Sequence, residues 1–294
     1  MVCPEDDVEV LTGRAAAPGR RPVLVTGVPR SGTTWVARQL ATSPAAAMPG
    51  REPMNPRSGQ FGLGGTLSGW VRLEEPTAQQ ARLLRRCYAG LEPRTFSRYG
   101  SRQWAALLPG SRVVVKDPFA LLSVPALVRT TGALPVVVYR HPGAVLSSYR
   151  RMGWTADVAE IRALQGRTED PAPVDDAHAM VQFWTYLHEQ VLAWLPRVPD
   201  ALLVSHAELT AAGPAGMTAL MARCGLPQGQ APAPSVPAPA GDVPEHGRLH
   251  QFDRRPEEVS EGWRSRVSPE EARVLDEGAT STWQTLESCR TSLR

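Results

Sequence analysis

The sequence predicts an α/β protein, an open parallel sheet with helices on both faces. Two observations carry that expectation. Short β-branched runs recur at Val23-Leu24-Val25-Thr26, Val113-Val114-Val115 and Val136-Val137-Val138, and their continuous apolar character suits strands buried on both faces. Turn residues and then a segment with apolar residues at helical spacing follow these runs, so strands and helices alternate. At 294 residues the chain is long enough for one large α/β domain, which would bury about three-quarters of its unfolded surface.

Taken in order, residues 1–20 read as a loose leader, and residues 21–294 as a single domain. A strand over 23–26 leads through a glycine-bounded turn, 27–32, into a helix over 33–43 that faces Trp35, Val36 and Leu40 to a core. Residues 45–110 look irregular, with a glycine-rich turn at 62–69 and a helical piece at 77–88. A strand ending in Lys116, a crossover helix over 121–130 and a strand ending in Arg140 come next. Pro142 suits the first turn of a further helix. The segment 175–195 is a longer helix whose Trp184, Leu187, Val191 and Trp194 form a core stripe. A strand over 201–204 and a helix over 211–224 follow. The Pro- and Ala-rich stretch 225–247 reads as a flexible surface loop. Ser268-Pro269-Glu270-Glu271 is a capping box that opens a last helix to about 286.

A net charge of +3 is too small to imply nucleic acid. Residues 1–10 carry Glu5, Asp6, Asp7 and Glu9 and no apolar run, so no secretory signal is expected. The sequence has no apolar stretch of spanning length, so no membrane span is expected either. Cys3, Cys87, Cys224 and Cys289 are scattered, without ligand spacing, which suits reduced thiols in a cytoplasmic protein. The 32 basic residues comprise 31 Arg and one Lys, a bias typical of GC-rich coding that leaves Lys116 as a position where Arg will not serve.

The chemistry concentrates first at 23–35. A strand, a glycine-bounded loop and a helix N-terminus aim backbone N–H groups at one point, which is a site for phosphate. The spacing is nearly the nucleoside-triphosphate pattern GxxxxGK(S/T), but Thr33 stands at the lysine position and Arg30 supplies the cation from within the loop. In this form, Pro29-Arg30-Ser31-Gly32-Thr33-Thr34-Trp35 resembles the phosphosulfate loop of sulfotransferases that use 3'-phosphoadenosine 5'-phosphosulfate (PAPS). The resemblance implies a P-loop NTPase-like sulfotransferase fold, PAPS as donor substrate, and adenosine 3',5'-bisphosphate (PAP) as product.

Two further segments extend the resemblance, which runs from about 22 to 285. Arg140 closes a strand and Ser148 lies eight residues on, similar to the family's 3'-phosphate motif. A guanidinium clamps phosphate bidentately and a hydroxyl adds a donor. Glu261-Gly262-Trp263-Arg264 is similar to the family's closing segment over the nucleotide, with Arg264 in place of lysine and Arg254 and Arg255 loosely echoing the preceding basic run; Arg266 is the neighbouring alternative. Ser205-His206-Ala207-Glu208 matches a strand end where an aromatic residue meets adenine, which places His206 and Trp35 as its two walls.

By the same resemblance, Lys116 in Val115-Lys116-Asp117-Pro118 holds the sulfuryl group, while Pro118 replaces the histidine base of the cytosolic enzymes. The base is then sought among Glu52, Asp117 and His141. Glu52 is favoured, because tyrosylprotein and heparan-type sulfotransferases carry a Glu at a similar distance past the loop. No Asp/Glu/His cluster suggests a metal, and these cations need none. A P-loop small-molecule kinase and a non-catalytic nucleotide-binding protein are the competing readings. The acceptor, a small molecule, lipid or glycan bearing a hydroxyl or amine, is not legible. Phe61, Trp70, Tyr88, Trp104 and Trp154 are equally placed for a pocket or for the core, and bacterial secondary metabolism suits the composition.

Overall fold

Strands β1 (Val23–Thr26), β2 (Ala46–Gly50), β3 (Phe96–Ser101), β4 (Arg112–Lys116), β5 (Leu134–Tyr139) and β6 (Leu202–Ser205) form one sheet in the order β3-β2-β4-β1-β5-β6. The structure is a computed structural model that describes residues 21–167, 174–229 and 262–293. The expected leader, residues 230–247 of the expected loop, Arg254, Arg255 and Glu261 lie outside those residues.

β1 is central, paired in parallel with both β4 and β5. Its four residues are buried on both faces, which is why they read as an unbroken apolar run. Leu24 enters one core with Val115 and Val137, whereas Val23 and Val25 enter a second with Val114, Val136 and Val138. Two apolar layers therefore sandwich the sheet.

The helices are α1 (Thr33–Leu40), α2 (Gly62–Gly65, one distorted turn), α3 (Ala78–Tyr88), α4 (Val124–Thr131) and α5 (Pro142–Arg151). They continue with α6 (Val158–Leu164), α7 (Asp176–Trp194), α8 (His206–Ala211), α9 (Gly213–Arg223) and α10 (Pro269–Ser288). α1 and α9 cover one face through Val36, Leu40, Met217 and Leu220. α4, α5, α7 and α10 cover the other through Leu127, Val145, Trp184 and Leu275. The expected capping box is present at α10, where Ser268 Oγ accepts the Glu271 N–H at 3.1 Å and Glu271 accepts the Ser268 N–H at 2.7 Å. A second box, Thr77 with Gln80, starts α3.

Two strands occupy the region expected to be irregular. β2 pairs in parallel with β4, and β3 returns antiparallel against β2 at the sheet edge, so the sheet is mixed and mostly parallel. Among the described residues no helix is long and apolar enough to cross a membrane, and no cluster of potential metal ligands occurs.

Candidate active site at the carboxyl ends of the strands

The turn after β1 is shaped by close approach. A Cβ on Gly27 would lie 2.1 Å from the Val138 carbonyl oxygen, and one on Gly32 would lie 2.1 Å from the His206 ring. Arg30 adopts φ 73° and Gly32 φ 102°, so the loop holds a non-glycine residue in the left-handed region that side chains seldom occupy. Gly32 caps α1 without a side-chain acceptor, leaving the first-turn amides of Thr33, Thr34 and Trp35 without that partner. The Ser31 and Thr26 hydroxyls are buried and lack hydrogen-bond partners within the described residues. A helix N-terminus with a buried, unsatisfied donor beside it is built to receive an anion.

The second segment meets the loop directly. Arg30 Nε donates to Ser148 Oγ at 2.9 Å, joining the turn after β1 to buried α5. Arg140 sits between β5 and α5, its carbonyl accepting the Trp184 indole N–H at 2.8 Å, which fixes the strand end. His206 opens α8 and is buried against Gly32. Burial, and then the Arg140 charge, push its imidazole down to about 3, so the ring is neutral. Its ring meets Trp35 edge-on at a centroid distance of 5.6 Å and 62°. The two rings touch, and no slot separates them.

On the other side of β1, Lys116 Nζ forms an ion pair with Glu52 Oε1, and Asn55 Nδ2 donates to Glu52 Oε2. Glu52 and Asn55 are buried, and Lys116 is half-buried at the end of β4. Asp117 is fully buried and accepts the backbone N–H groups of Met54 and, at 3.0 Å, Phe119. Burial and the adjacent Glu52 charge push its carboxyl well above the ordinary carboxylate range. Asp117 therefore ties the 52–55 turn to the end of β4, and through that turn it positions Glu52.

His141 lies elsewhere. Its Nδ1 accepts the Gly143 N–H at 3.2 Å, its Nε2 lies 3.2 Å from Asp276, and its ring stacks on Trp263 at 4.7 Å. Arg264 pairs with Asp276 at 2.8 Å and covers the same Trp263, while Arg266 Nη1 donates to Ser147 Oγ at 3.4 Å. These residues form a seam between α5 and α10. The structure thus brings Glu52 to Lys116 and Arg30 to Ser148. Asn55, which clamps Glu52, carries no sequence signal that singles it out; only its side-chain contacts do.

Comparison with known proteins gives the family. The model of the sulfotransferase family matches residues 22–230, a span containing every site residue above except those of the 263–276 seam. The sulfotransferase domain from the curacin biosynthetic pathway is similar, with a TM-score of 0.49 at 16% identity over 89% of this chain and 98% of that one. The sulfotransferase domain from the Synechococcus PCC 7002 olefin synthase gives 0.49 at 17% identity, over 92% and 98%. A Mycobacterium avium sulfotransferase gives 0.42 at 14%, over 92% and 77%. No curated protein sequence matches. The family match extends over well more than half of the chain, and the protein is a member of the sulfotransferase family.

Proposed function

We propose that this enzyme transfers a sulfuryl group from PAPS to a hydroxyl or amine of a small-molecule, lipid or glycan acceptor. The Arg30–Ser148 contact carries the reading, because it draws the two phosphate-recognition segments together across the sheet. In this assignment the Ser31 hydroxyl, the amides of Gly32 to Trp35 and Arg30 hold the 5'-phosphosulfate, and Arg140 with Ser148 holds the 3'-phosphate. Adenine lies on the free side of Trp35, with His206 buttressing that ring from behind, and Arg264 closes over the nucleotide by leaving Asp276. The acceptor oxygen or nitrogen attacks sulfur in line. The S–O bond to the 5'-phosphate breaks, PAP departs, and the acceptor proton passes to Glu52. Lys116 neutralises charge on the sulfuryl oxygens, so no metal is required. Reaction in the cytoplasm, by a single domain, fits this donor.

PAP is expected to raise the melting temperature without Mg²⁺, whereas ATP does little. Tighter binding of ATP with Mg²⁺ in calorimetry would support a kinase instead, and binding without sulfate turnover would leave a non-catalytic nucleotide-binding protein. Losing one charge-assisted contact costs about 1.5–3 kcal/mol, so Arg140→Ala should weaken PAP by roughly 10- to 150-fold. The same variant should bind adenosine 5'-phosphosulfate, which lacks the 3'-phosphate, nearly as before. Equal weakening of both ligands in the titration would place Arg140 away from that phosphate.

A further inference from the structure

Beside the Glu52–Lys116 pair stands a cation that the proposed chemistry does not use. Arg57 is exposed, yet its guanidinium is held over two rings, 5.2 Å from the Phe119 centroid and 5.7 Å from that of Trp154. Asn55 connects it to the base: Nδ2 donates to Glu52, and Oδ1 accepts the Arg57 backbone N–H at 2.9 Å. Trp154 connects it to the phosphate loop, since the Arg30 guanidinium lies 5.9 Å from the same ring. Glu52, Asn55, Arg57, Trp154 and Arg30 therefore form a continuous chain of contacts from the Glu52–Lys116 pair to the turn after β1.

The charge of Arg57 is not balanced by an ion pair or a side-chain hydrogen bond among the described residues. Glu160 is the acidic group within electrostatic reach of it, and it makes no hydrogen bond or ion pair with Arg57 among the described residues. Glu160 accepts the Trp70 N–H, and Asp157 Oδ1 accepts the Glu160 N–H at 2.9 Å. Aromatic packing on two sides restricts the guanidinium without consuming its in-plane donors. Such a fork suits a planar or tetrahedral oxyanion bidentately.

We infer that Arg57 is the acceptor-recognition residue of this enzyme, and that the acceptor carries an anionic group, such as a carboxylate or phosphate, in addition to the hydroxyl or amine that is sulfated. The inference rests on the proposed sulfuryl transfer. Trp154, partly exposed beside Arg57, supplies the apolar wall against which the body of the acceptor lies.

The test uses the full chain saturated with PAP and two probes that share the hydroxyl and the alkyl chain, 3-hydroxydecanoate and its uncharged methyl ester. Calorimetric titration should give the acid an affinity about 10-fold or more above the ester, the low end for a charged hydrogen bond that remains accessible to water. In Arg57→Gln that ratio should fall to near one, while Arg98→Gln, which removes an exposed cation on β3, keeps it. Equal titration of the two probes by the unmodified protein, including no heat from either, overturns the inference. So does a ratio that survives Arg57→Gln. Weakened PAP binding in Arg57→Gln also overturns it, because Arg57 would then serve the donor. Failure of the unmodified protein to bind PAP at all would instead sink the sulfotransfer reading on which the inference stands.

Discussion

Glu52→Gln is expected to lower kcat by about 10²- to 10⁴-fold, the usual consequence of losing a general base, with PAP affinity unchanged. The substitution keeps the shape of the side chain and an oxygen for the Asn55 amide, but it removes the charge that accepts a proton. It also leaves Lys116 without its carboxylate partner. PAP lacks the sulfuryl group, so its binding does not report on Lys116. A double-mutant cycle with Lys116→Gln separates the side effect, because Glu52→Gln lowers kcat further in that background only if Glu52 does more than hold Lys116. Thermal melting gives the accompanying stability cost, which the remaining exposure of Lys116 moderates. A Glu52→Gln enzyme with more than half of its turnover would return the search for the base to the neighbouring groups.

Asp117→Ala should act through structure. The carboxyl is fully buried and serves the Met54 and Phe119 backbone N–H groups, so its removal strands two buried donors. At about 1–3 kcal/mol each, the loss is roughly 2–6 kcal/mol, or about 3–10 °C in melting temperature for a chain of this size. Turnover should fall with it, since the 52–55 turn that carries Glu52 loses its anchor. A variant with normal melting behaviour and lost turnover would instead make Asp117 a participant in proton transfer.

The elements legible from sequence are those whose burial is uniform along the strand or periodic along the helix. β1, β4 and β5 announce themselves as β-branched runs, and α7 by its Trp184-Leu187-Val191-Trp194 stripe. β2, with the sequence Ala-Ala-Met-Pro-Gly, has no β-branched residue and carries a proline, so its pairing with β4 on one side and β3 on the other makes it a strand. β3 is a half-exposed edge strand of polar residues, Phe-Ser-Arg-Tyr-Gly-Ser, and lacks the apolar signal for the same physical reason. α1 ends at Leu40, short of the expected 43, where a turn takes over. At the proposed site, Arg30 is legible from the glycine-bounded loop that holds it, and Lys116, Arg140 and Ser148 from the resemblance of their segments to the family's motifs. The union of Glu52 with Lys116 is not, because it depends on the pairing of β2 with β4, and the sequence does not announce β2.

The central place of β1 has a temporal consequence. Its partners lie far along the chain, Val114 about 90 residues and Leu134 about 110 residues after Val23. At synthesis rates of about 5–20 residues per second, the apolar run of β1 emerges roughly 5–20 seconds before either neighbour exists to flank it. During that interval α1, β2, α2, α3 and β3 are the elements of the fold that exist to shelter the strand, and the turn that hangs from it has no Val138 backbone to lean on. The turn after β1 therefore gains its packed form only once β5 has been made, about halfway along the chain, and the apolar run stays unpaired on that edge until then.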